Sequence, residues 1–76
     1  MTPGTLIRVN RTVGRSFRMG RVPGRVVAVD GDTVTYEVPC IGADGRLTRQ
    51  TCRLSECVAV EDDEIRREFA GKEALL

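Results

Sequence analysis

Short strand-like apolar runs, alternating most clearly over residues 33–38, recur through the first sixty positions, and helical spacing appears only near the end. Thr5-Leu6-Ile7-Arg8-Val9 reads as a first strand. From Asn10 to Gly24 the pattern is broken by Gly14, Gly20, Pro23 and Gly24. Arginines spaced by three or four through this stretch imitate one face of a helix. Each glycine would cost a helix about 1 kcal/mol and the proline more, so an irregular loop is predicted, pinned by Val13, Phe17, Met19 and Val22.

The stretch GRVVAVDGDTVTYEV, residues 24–38, carries the strongest local signal. Two β-branched runs flank Asp30-Gly31, a pair suited to a type I′ turn because both central residues there need positive φ. On the second arm Val34, Tyr36 and Val38 alternate with Thr33, Thr35 and Glu37, one face for a core and one for water. A second hairpin turns at Ala43-Asp44-Gly45, with Gly45 left-handed. Closing Gly42 on Arg46 predicts Val38 opposite Gln50, Tyr36 opposite Cys52 and Val34 opposite Leu54. Glu37 then faces Thr51, and Thr35 faces Arg53.

Residues 53–57 read as a tight 3₁₀ turn, followed by a closing strand from Cys57 to Val60. A helix is predicted over Glu61 to Leu76, capped by Asp62 or Asp63, with Asp63 and Glu64 at the positive end of its dipole. Ile65 and Phe69 lie one turn apart, Leu76 near the same stripe, and Gly71 weakens the last turn. These residues are expected to cap an open end of the sheet structure, or else to dock on another subunit.

Composition fixes the scale of the core. A chain of 76 residues with no tryptophan, two Phe and one Tyr makes one small domain with an aliphatic interior. The expected division is a β-barrel over residues 1–60 and a helix over 61–76 packed on it. No apolar run reaches the length of a membrane span and no signal peptide opens the chain, which predicts a soluble cytoplasmic protein without a membrane partner.

Five strands, a basic loop, two tight hairpins, a 3₁₀ turn and a short last strand resemble the SH3-like barrel. Within it, GRVVAVDGDTVTYEV is similar to the hairpin of KOW and Tudor-type barrels. The resemblance covers roughly residues 5–60 and implies a mainly β fold, a five-stranded SH3-like barrel with a short C-terminal α-helix. KOW domains commonly contact RNA or protein, which implies a binding module. Tudor domains that read methylated ligands use an aromatic cage, and here Tyr36 and Phe17 are the only aromatics in the barrel region. Type II dihydrofolate reductases place an active site in the pore of an SH3-like tetramer. Their V-Q-I-Y signature has no counterpart here, where the equivalent stretch is Thr48-Arg49-Gln50-Thr51.

Charge divides the chain in two. Residues 1–54 hold nine arginines against four acids, and residues 55–76 hold three bases against seven acids, so a net charge of +1 conceals a dipolar molecule. Guanidinium groups suit phosphate oxygens. The candidate contact set is therefore Arg11, Arg15, Arg18, Arg21 and Arg25, supported by Arg49 and Arg53, with Arg8 at its margin. The expected partner is the phosphate backbone of RNA or DNA, or a ribonucleoprotein, bound electrostatically. The opposing expectation is that these arginines pair with the molecule's own acidic helix, Glu37 or Asp44. A second functional reading is a protein-interaction module or accessory subunit, phage- or plasmid-encoded, or an oligomer in which one copy's acidic helix meets another's basic loop.

Catalysis has little to build on. There is no histidine, no phosphate-cradling glycine loop and no G-x-S-x-G, so no enzyme activity is expected. Cys40, Cys52 and Cys57 are odd in number, which disfavours a secreted disulfide framework. They lack a C-x-x-C pair and a fourth ligand for zinc, so they are read as reduced, half-buried apolar residues with no metal or cofactor.

Overall fold

A computed structural model describes residues 1–12 and 19–76, and of residues 11, 12 and 19–21 it describes the backbone alone. Among the described residues the fold is mainly β: β1 (Leu6–Thr12), β2 (Met19–Asp30), β3 (Thr33–Ile41), β4 (Leu47–Arg53) and β5 (Cys57–Ala59). A 3₁₀ turn, Leu54–Glu56, leads into β5, and the helix α1 (Asp63–Glu73) ends the chain. All pairings are antiparallel, and the strands form one sheet in the order β4-β3-β2-β1-β5. The sheet wraps an apolar interior to which all five strands contribute, giving a broadly barrel-like shape.

Alternation explains that interior. Ile7 and Val9 of β1, Val26 of β2, Val34, Tyr36 and Val38 of β3, Cys52 of β4 and Cys57 of β5 point to one side and are buried together. Tyr36 is fully buried and its hydroxyl meets Gln50 Oε1 at 3.0 Å, so the one polar atom of the ring has a partner. The opposite face would be wet without the helix. Leu6 and Leu47 point that way, and α1 covers them with Ile65 and Phe69, flanked by Ile41 and Val60. Leu6 and Ile7 are thus both buried because β1 is covered on both sides.

Several sequence expectations shift in register. The first hairpin closes at Asp30 against Thr33, so its central residues are Gly31 and Asp32 rather than Asp30 and Gly31. Only Gly31 has positive φ, at 59°, the pattern of a turn with glycine first and not of type I′. Val27 is the extra residue of a bulge between Val26 and Ala28; beyond it Ala28 pairs with Thr35 and Val29 with Val34, and both Ala28 and Val29 are exposed at this end of the sheet.

The second hairpin closes as expected: Gly42 N donates to Arg46 O at 2.8 Å, and Gly45 is left-handed with φ 77°. Beyond it the ladder slips by two. Tyr36 faces Gln50, Val34 faces Cys52, Glu37 faces Arg49, Thr35 faces Thr51 and Thr33 faces Arg53. The cause is a bulge in which residues 38–40 of β3, Pro39 among them, oppose Thr48 alone. A slip of two, unlike a slip of one, keeps every side chain on its face.

The segment expected as irregular is largely strand. β1 runs on to Thr12 and β2 begins at Met19, passing through Gly20, Pro23 and Gly24. Val26 N donates to Thr5 O, so hydrogen-bonded pairs between these strands fall on every second residue. Pro23, opposite Arg8, falls between them and loses no ladder bond to β1, and β3 does not pair with this half of β2. Val22 is half-buried against the interior, whereas Val13 and Phe17 lie outside the described residues.

The helix expected over Glu61 to Leu76 is shorter at both ends, Asp63–Glu73, and of the two candidate caps Asp62 is the one used. Asp62 caps it, accepting from Glu64 N at 2.9 Å. Leu76 is not part of the buried stripe: it is 61% exposed, since the helix ends at Glu73. The cysteines divide, with Cys52 and Cys57 in the interior, Cys40 exposed and all three free thiols.

Candidate functional site

The arginines of this fold lie in two electrostatic settings. On β1 and β2, Leu6 pairs with Arg25 and Arg8 with Pro23, on the sheet face that α1 covers. Arg8 reaches the helix N-terminus and bonds Asp62 Oδ2 at 2.9 Å. That hydrogen bond, with the backbone N–H groups of Glu64 and Ile65, holds the Asp62 carboxyl below its ordinary value of 3.8.

Arg25 is more deeply committed. Its guanidinium lies over the Phe69 ring, 4.6 Å from the centroid, bonds Glu73 Oε1 and approaches Glu37 Oε1 at 3.9 Å. The expectation that arginines pair with the acidic helix or with Glu37 thus describes Arg8 and Arg25. The helix neutralises the part of the basic face that it covers.

Arg49 and Arg53 differ. Both lie on the outer face of β4, where Arg49 faces Glu37 and Arg53 faces Thr33 in register, and both are exposed. Neither side chain has a carboxylate partner among the described residues. Thr33, Thr35 and Thr51 share this face, and α1 reaches only its Leu47 end. The Arg53 N–H does bond Glu56 Oε1 at 2.8 Å, which fixes the strand end and leaves the guanidinium outward.

Arg11 lies opposite Gly20 and Arg21 opposite Asn10, so the backbone places both toward the far end of the β1–β2 ribbon. Arg15 and Arg18 lie outside the described residues. The candidate set is accordingly not one continuous patch among the described residues: Arg25 is tied inward and Arg49 and Arg53 stand free on β4.

One residue that the sequence reading passed over belongs with them. Arg46, beside the left-handed Gly45, lines a cleft of about 840 Å³ with Arg25, Arg49, Glu37, Leu47 and Glu73. The signal was its place beside Gly45 at the closing position of the hairpin, where it is exposed.

Comparison with models of protein families, with curated protein sequences and with solved structures finds no similar family, relative or fold neighbour.

The site offers cations and hydroxyls, with the carboxylates of Glu37, Asp44 and Glu73 in its cleft. Among the described residues no three of Cys, Asp and Glu come together as a metal ion would need. Tyr36 and Phe69 are buried, so no described aromatic offers a surface for a base to stack on. No helix among the described residues is long and apolar enough to cross a membrane.

Proposed function

We propose that the protein is an SH3-like binding module, acting without catalysis, that contacts the phosphate backbone of nucleic acid, free or in a ribonucleoprotein. The observation that carries this reading is the outer face of β4, where Arg49 and Arg53 are exposed and paired with no carboxylate among the described residues. A protein that spends two acidic groups on Arg25 and one on Arg8 leaves these two cations to solvent. Exposed guanidinium forks beside threonine hydroxyls suit phosphodiester oxygens. With no described aromatic exposed, recognition runs through charge and shape, and selects weakly among sequences. The β1–β2 arginines Arg11, Arg15, Arg18 and Arg21 extend the contact.

Replacing Arg49 and Arg53 with Gln together tests this assignment. Both side chains are exposed, and surface changes of this kind cost about 0.5 kcal/mol or less each, so the melting temperature should move by no more than about 4–8 °C. Binding to mixed-sequence RNA or DNA duplex should weaken. The slope of log K against log salt should become shallower by about 0.9 for every phosphate that the variant no longer neutralises on a DNA duplex. Unchanged affinity would remove β4 from the interface. Binding to protein but not to either nucleic acid would favour the interaction-module reading.

A further inference from the structure

The cleft between the end of α1 and the β3–β4 loop already contains an anion, supplied by the chain itself. Glu73 stands in the last turn of α1, where the helix dipole is negative and a carboxylate is disfavoured. Its partner there is Arg25, which is held from three sides: by the Phe69 ring beneath, by Glu37 beside it and by Glu73 from the helix. Arg25 is therefore a preorganised cation whose open side is occupied by a carboxylate that is 45% exposed.

Arg46 and Arg49 line the same cleft, and neither guanidinium forms an ion pair among the described residues, although Asp44 also lines the cleft and accepts from the Arg46 backbone N–H at 3.1 Å. The three guanidiniums come from three different elements: β2, the hairpin loop and β4. Glu37 and Glu73 pair with Arg25, Asp44 holds the hairpin backbone, and the guanidiniums of Arg46 and Arg49 are left open. That is the arrangement of a phosphate-binding cleft with a weak intramolecular competitor in place.

We propose that this cleft is where the nucleic-acid backbone docks, and that a phosphate replaces Glu73 on Arg25 when it does so. The inference rests on the functional reading above and assigns it a place and a regulator. Arg46 and Arg49 take the neighbouring backbone, and Glu73 sets how readily the third cation joins. The competitor is weak because an ion pair at a partly exposed position is worth little against water and salt. Displacing Glu73 exchanges one anion for another on Arg25, so in the native protein that step releases almost no net counterion. Without the carboxylate, the same contact would release its full share.

The test is duplex binding by Glu73→Gln across a salt series, read by fluorescence anisotropy on a short mixed-sequence RNA duplex and on the same sequence as DNA. Glu73→Gln should bind roughly two- to fivefold more tightly at low salt, the factor expected for freeing one exposed ion pair. Its log K against log salt should steepen by about 0.9 on the DNA duplex and about the same order on RNA. Adding Arg25→Gln to Glu73→Gln should return the slope to the native value. Glu64→Gln, on the exposed first turn of the helix, changes net charge equally and should leave the slope alone.

Equal slopes for the native protein and Glu73→Gln would overturn the inference while leaving nucleic-acid binding in place. So would an equal gain from Glu64→Gln, because the effect would then be one of overall charge. Binding by Glu73→Gln alone, with none by the native protein, would overturn the weak competition proposed here. No binding by any variant would overturn both this inference and the functional reading.

Discussion

Replacing Phe69 with Ala should cost about 3–5 kcal/mol, most of the stability a domain of this size has. Phe69 is 2% exposed and is the largest side chain in the cluster that joins α1 to the sheet, with Leu6, Leu47 and Ile65. Its loss leaves a cavity that these aliphatic neighbours cannot fill, and it removes the ring beneath the Arg25 guanidinium. At roughly 4–8 °C per kcal/mol for a chain of this length, the midpoint of thermal unfolding should fall by more than about 12 °C. Leu76→Ala is the matched control. Leu76 is exposed, and its truncation should leave the midpoint unchanged. A Phe69→Ala protein that melts like the parent would mean that the ring lies outside the fold, awaiting a partner.

Gly24→Ala should be the second costly change, and for a reason that has nothing to do with backbone freedom. A Cβ at this position would sit 2.7 Å from Tyr36 Cδ2, 3.3 Å from Ile7 Cγ1 and 3.4 Å from the Glu37 carbonyl oxygen. The ring cannot retreat, because Tyr36 is fully buried and its hydroxyl is held by Gln50. Overpacking of this kind costs about 1–3 kcal/mol. Shrinking the ring should relieve it: Gly24→Ala with Tyr36→Val should cost less than the sum of the two single changes, a coupling readable in denaturant melts. Strict additivity would contradict the packing described for β2 and β3.

Gly24 also shows where sequence reading succeeds and where it stops. In the chain it looks like a breaker beside Pro23, and the segment around it reads as loop. In the fold it is a strand residue that lets an aromatic ring lie against the backbone, and nothing local announces the ring of Tyr36, which belongs to the next strand. The period-two patterns of β1, β3 and β4, the turn at Gly45, the 3₁₀ turn and the Asp62 cap were all legible, because each is decided by neighbours in the chain. The register of β3 on β4 was not. The bulge around Pro39 moves it by two, and the alternation is identical either way.

The candidate site divides along the same line. That the first two thirds are basic and the last third acidic is plain from the sequence. Which arginines the acids neutralise is a matter of contacts 48 and 54 residues apart, Arg25 with Glu73 and Arg8 with Asp62. Those contacts separate the arginines that hold the helix from Arg49 and Arg53, whose guanidiniums hold no carboxylate among the described residues. The same acidic helix therefore stabilises the fold and limits how much of the basic face is open.

The most direct test of nucleic-acid contact is the salt dependence of duplex binding by the unaltered protein. Association with mixed-sequence RNA or DNA should be measurable at about 50 mM salt and should weaken steeply as salt rises, with a slope of about −0.9 per phosphate neutralised on a DNA duplex. Slopes for different sequences should agree. Absence of binding to either duplex at about 50 mM salt, or an affinity indifferent to salt, would contradict it.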